Sequence, residues 1–152
     1  MKVVVVSDVH LGYDHSDKSS FNSFLDQLKE DEDLTDFVLL GDIVDMWRRD
    51  ASGVFLENQD TTGKIIALKE RMNVHYVAGN HDYHVLNLKN HSYPFTGEKT
   101  LNIADNHANY RFLHGYQFDP AQQEPFMEAL CRVMSDEVGE ASRRQGRRSK
   151  GQ

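Results

Sequence analysis

Four short stretches of this chain end in side chains that bind metals and phosphates well. Asp8 and His10 stand two residues apart, so on an extended backbone both project to the same side. Gly41-Asp42 is followed by Asp45. Gly79-Asn80-His81-Asp82 sets an amide, an imidazole and a carboxylate on one turn, behind a glycine that lets the backbone bend sharply. His114-Gly115 closes the series. Each is weak alone, because Gly-Asp pairs are common turn residues. Together they supply carboxylate, imidazole and amide oxygen, a mixed set that suits manganese, iron or zinc better than calcium. The plainer alternative is that each Asp or Asn caps a helix after its strand.

The elements before these stretches give them force. Val3 to Val6 reads as a buried strand, apolar at every position, and residues 36–42 (DFVLLGD) and 73–80 (NVHYVAGN) as two more. Between the first two, Phe21, Phe24, Leu25 and Leu28 recur at helical spacing from Ser20 to Glu30. Asn58 to Lys69 is a second helix candidate. This alternation predicts parallel crossovers and an α/β domain, in which ligands gather beyond the carboxyl ends of the strands. Asp8, Asp42 and Asn80 each stand just past such an end. Residues 99–105 (KTLNIAD) and 109–115 (NYRFLHG) predict a hairpin, and residues 125–141 a last helix opened by Pro125.

At 152 residues with 39% hydrophobic composition, the chain suits one compact domain, expected over residues 1–141. Residues 142–152 carry Arg143, Arg144, Arg147, Arg148 and Lys150 without an acid, and predict a flexible basic tail. The net charge of −7 argues against a broad hold on nucleic acid, although an acidic enzyme acts on phosphates when metal ions bring the positive charge. The single cysteine, Cys131, makes no internal disulfide and no zinc-finger spacing; with no leader or transmembrane run in view, a cytoplasmic location is expected.

SDVHLG, LLGDIVDMW, AGNHDYH and FLHGYQFD resemble, in order and spacing, the successive motifs of the calcineurin-like metallophosphoesterase superfamily. The resemblance covers residues 2 to 119 and is nearest the branch of UDP-2,3-diacylglucosamine hydrolases, although those enzymes usually carry arginine where this chain has His81. It implies a metallophosphoesterase-like β-sandwich flanked by helices, and a hydrolase of phosphodiesters or nucleotide pyrophosphates. Two divalent ions, manganese first and iron or zinc next, would be the cofactors, with a phosphorylated small molecule or nucleotide as partner. By the same resemblance Asp8 and His10 bind the first ion, Asp42 bridges both, and Asn80 and His114 bind the second. His81 would serve the leaving group, oriented by Asp82. Two ions about 3.5–4 Å apart can clamp a phosphate, activate water and neutralise charge in in-line attack.

The family's later Gly-His-x-His motif does not follow His114. The chain is therefore expected to lack its C-terminal strands, as a fragment, as a short natural form in which water or another residue fills the gaps, or as a fold that has lost activity. His84, His91 and His107 are the substitutes considered, with surface-loop positions the plainer reading; His15 and His75 have no such placement. A non-enzymatic alternative is a phosphoesterase-like binding module completed by a partner or a second copy, and exposed sheet edges would make a homodimer plausible. Trp47 could stack on a base or pack at the sheet edge; Arg48 and Arg49 could hold a phosphate or stand in solvent.

Overall fold

The computed structural model describes residues 1–88, 96–123, 125–126 and 129–130. The expectations for the last helix beyond residue 130, the basic tail, His91 and Cys131 lie outside them. Four strands, β1 (Val3–Val6), β2 (Asp36–Leu40), β3 (Asn73–Val77) and β4 (Gly97–Glu98), form a parallel sheet in the order β1-β2-β3-β4. Their register brings Val6 opposite Leu39 and Leu40 opposite Val77, so neighbouring strands end nearly level. The crossovers are α1 (Lys18–Glu30), then α2 (Ala51–Glu57) and α3 (Gln59–Leu68). Strands β5 (Leu101–Ala104) and β6 (Asn109–Phe112) pair as the expected antiparallel hairpin, whose turn is tied where Asp105 accepts from the backbone N–H groups of His107 and Ala108.

Alternate residues of β2 feed two cores, as a pleated strand requires. Phe37 and Leu39 bury against Phe21, Leu25 and Leu28 of α1 and Ile65 and Leu68 of α3. Val38 points the other way and packs, with Val77, against Leu101 and the partly buried Ile103 and Phe112 of the hairpin. The hairpin thus covers the face the helices leave open, which is the sandwich with flanking helices that the sequence implies. Asp17 caps α1 by accepting from the Ser20 N–H, and Asp50 caps α2 by accepting from the Gly53 N–H.

Two elements differ from expectation. β1 is an edge strand rather than a buried one, with Val5 41% exposed, because among the described residues only β2 pairs with it. α2 was not expected: only its Val54 is buried, so its sequence carries little apolar periodicity, and Asn58 lies between it and α3 as the cap of both. No helix among the described residues is long and apolar enough to cross a membrane.

Two glycines make opposite demands. A Cβ on Gly79 would overlap Asp42 Oδ1 and lie 2.5 Å from its backbone nitrogen, whereas one on Gly63 in α3 meets nothing within 4 Å. Gly79→Ala is expected to lower unfolding free energy by about 2–3 kcal/mol, the cost of overpacking a site that cannot give. Gly63→Ala is expected to raise it by about 0.5–1 kcal/mol through helix propensity. Urea denaturation of both variants checks the pair.

Candidate metal centre

The parallel pairing continues past the strand ends and locks three loops together. Asp8 N–H donates to the Gly41 carbonyl (3.1 Å), His10 N–H to that of Asp42 (2.9 Å) and Leu11 N–H to that of Ile43 (2.8 Å). The loop after β3 joins through Met46 N–H on the His81 carbonyl (3.1 Å) and His81 N–H on Asp42 Oδ1 (2.8 Å). Holding this weave puts Asp8, His10 and Asp42 in the left-handed backbone region, with φ of 58°, 52° and 54°. Left-handed non-glycine residues are uncommon and cost of order 1 kcal/mol or more each, and they gather at functional sites.

The strained residues converge on one point. His10 Nε2 lies 4.0 Å from Asp8 Oδ1 and 3.9 Å from Asp42 Oδ2. His114, past the end of β6, brings its Nε2 to 3.8 Å and 3.7 Å from the same two oxygens. These separations are too long for hydrogen bonds. They approach the roughly 3.4 Å between donors arranged tetrahedrally at about 2.1 Å from one ion. His114 Nδ1 is buried with no hydrogen-bond partner among the described residues, so that ring is not held by hydrogen bonding at that nitrogen. Gly41, at φ +75°, admits the ring: a Cβ there would sit 2.5 Å from His114 Cδ2. Two carboxylate oxygens and two imidazole nitrogens fit a divalent transition metal. Asp42 is buried while the Asp8 side chain is 60% exposed, so the group opens to solvent on the Asp8 side.

Behind it lies Asp45, 0% exposed. Its Oδ2 accepts from His10 Nδ1–H (3.2 Å) and from the Arg48 guanidinium; its Oδ1 accepts from His81 Nδ1–H (3.1 Å) and from the backbone N–H groups of Trp47 (3.2 Å) and Arg48 (3.1 Å). Burial pushes the Asp45 carboxyl up, but the hydrogen bonds from His81 and Arg48 outweigh it and hold the group well below the ordinary carboxylate range. An ionised Asp45 only accepts, so both imidazoles carry their proton on Nδ1, and His10 keeps its Nε2 lone pair free for a metal. The His10 and His81 rings meet edge to face at 4.7 Å, and Trp47 stacks on His81 at 4.1 Å.

Each residue singled out in the sequence can now be placed. Asp8, His10, Asp42 and His114 gather as described, with His114 Nε2 near the same two carboxylate oxygens as His10 Nε2. Asn80 is half-buried in the bend between Gly79 and His81. His81 is oriented by Asp45, not by Asp82. The Asp82 carboxylate is 0% exposed and accepts instead from Gly79 N–H (2.6 Å), Ile43 N–H (2.9 Å) and Tyr76 O–H (2.7 Å), tying β3 to the loop after β2. Burial raises its pKa. The sequence places Asp45 among the ligand-like groups after the second strand but gives it no role; its spacing of three from Asp42, with Trp47 and Arg48 behind it, is the available signal. His84 stands in the 3-10 turn Tyr83–Asn87, outside the clusters of His and Asp donors close enough to share an ion among the described residues. His107 is in the hairpin turn, His15 lies against Tyr13, and His75 bonds Asp36 at 2.9 Å near the opposite end of the sheet. Arg49 pairs with Glu57.

A family model described as calcineurin-like phosphoesterase matches residues 1–140. No curated protein matches the chain.

Asp82→Ala removes the acceptor shared by two buried backbone N–H groups and the Tyr76 hydroxyl and is expected to cost about 3 kcal/mol, whereas Tyr76→Phe, which removes one of those hydrogen bonds, is expected to cost about 1 kcal/mol. Equilibrium urea unfolding of the two variants beside the parent checks the ranking.

Proposed function

The chain belongs to the calcineurin-like phosphoesterase family, and from that premise we propose that it is a metal-dependent phosphoester hydrolase. The observation that carries this reading is that His10 Nε2 and His114 Nε2 each lie 3.7–4.0 Å from Asp8 Oδ1 and Asp42 Oδ2, too far for hydrogen bonds, while Asp8, His10 and Asp42 stand close enough together to share one ion. A divalent ion bound there would withdraw charge from a phosphoryl oxygen and lower the pKa of a water beside it. The protein's own groups do the rest. Asp42, tied through Oδ1 to the His81 amide, keeps its other oxygen aimed at the two imidazoles. His81, its Nδ1–H fixed on Asp45 and its ring stacked on Trp47, has Nε2 left to exchange a proton. In its protonated form it would deliver that proton to the departing oxygen.

The reading extends to two ions, Asp42 being shared and Asn80 contributing to the second, and manganese suits the mixed oxygen and nitrogen set. The substrate would be a phosphodiester or a nucleotide pyrophosphate, whose alcohol or phosphate leaving group benefits from a proton donor. The open side at Asp8 leaves room for it.

Manganese-loaded parent protein is expected to hydrolyse bis(p-nitrophenyl) phosphate. Asp42→Asn is expected to lose its manganese on desalting. His81→Ala should keep manganese and fold yet lose about 10²–10⁴-fold in kcat, the ordinary worth of a general acid. A loaded parent without turnover, or a His81→Ala variant as fast as the parent, would contradict the reading.

A further inference from the structure

Arg48 is placed in a way that neither its exposure nor its neighbour Arg49 would suggest. Its side chain is 48% exposed, yet the guanidinium bonds Asp45 Oδ2 while its own backbone N–H reaches Asp45 Oδ1 at 3.1 Å. One residue therefore grips both oxygens of the buried carboxylate and fixes the plane in which it lies. Each oxygen has a second duty: Oδ2 holds His10 Nδ1–H and Oδ1 holds His81 Nδ1–H. The outer face of the guanidinium is held in turn, with its central carbon 4.5 Å from the centroid of the Tyr13 ring. Tyr13 is anchored to the metal-binding loop by its N–H on the His10 carbonyl at 3.0 Å. The chain of contacts runs from Tyr13 to Arg48, to Asp45 and then to two imidazoles.

We propose that Arg48 is a positioning residue for the metal centre, clamping Asp45 so that His10 Nε2 is aimed at Asp8 and Asp42 and His81 at the substrate. A carboxylate with no exposure, holding two imidazoles by single bonds of 3.1 and 3.2 Å, needs such a clamp. Of the described residues in contact with it, Arg48 alone carries a permanent positive charge. A planar fork stacked on an aromatic ring is geometry that lysine does not reproduce. Arg49, which pairs with Glu57, has no part in it.

This inference rests on the metal-centre reading above, and the test separates the two. Manganese affinity is measured by calorimetry on metal-free parent, Arg48→Ala, Arg48→Lys and Arg49→Ala, with kcat and KM for bis(p-nitrophenyl) phosphate recorded at saturating manganese. Arg48→Ala is expected to bind manganese about tenfold more weakly, as loss of a group that orients metal ligands does, with kcat lowered and KM little changed. Arg48→Lys should fall between it and the parent, and Arg49→Ala should match the parent. Should Arg48→Ala not fold, Arg48→Gln replaces it with the same expectation. Unchanged manganese affinity would overturn the clamp, and if KM alone rose, Arg48 would instead be a direct substrate contact. A parent that binds no manganese would overturn the metal centre and the clamp together.

Discussion

The Asp42 carboxylate is the constraint on which the site is built. One oxygen accepts the His81 amide and so fixes the loop after β3; the other faces the imidazoles of His10 and His114. For that to happen the carboxylate must lie between two backbones with no side chains in the way. Gly79 meets it directly and Gly41 admits the His114 ring. The left-handed backbone at Asp8, His10 and Asp42 is the local cost, and the loops are held in it by hydrogen bonds that prolong the parallel pairing of β1 with β2. Strain of this kind survives only where the surroundings over-determine it.

Around this point the acids divide the work. Asp8 and Asp42 present oxygens to the open side of the site, Asp45 orients two rings from behind, and Asp82 serves the backbone as a buried acceptor for three donors. Four carboxylates in so small a volume would repel one another strongly if none were matched. Asp45 is matched by Arg48 and two imidazoles and Asp82 by three neutral donors, while Asp8 faces imidazoles and Asp42 faces imidazoles and one backbone N–H, which leaves them as the pair that a cation would satisfy.

Much of this was legible in the sequence, and the reasons for the rest are physical. The β-branched and apolar runs located three parallel strands, and the placing of Asp8, Asp42 and His114 at strand ends pointed to residues that the structure brings near one another. The edge position of β1 was not legible, since a run of four valines reads alike whether one neighbour or two pair with it. Nor was the exchange of roles between Asp45 and Asp82. Adjacency to His81 favoured Asp82, but on a tight turn neighbouring side chains diverge, and the partner of His81 came from 36 positions away in the chain. Trp47 and the arginines behind it stood open between substrate contact and a structural place; their partners are His81, Asp45 and Glu57.

The central proposal is that Asp8, His10, Asp42 and His114 hold an ion in common. Diffraction from crystals of the protein grown with manganese, recorded at the manganese absorption edge, tests it most directly. The account predicts an anomalous peak within coordinating distance of all four side chains, with His10 Nδ1 still bonded to Asp45. A peak that excludes His114, one seated among His10, Asp45 and His81 instead, or none at full manganese load, would contradict it.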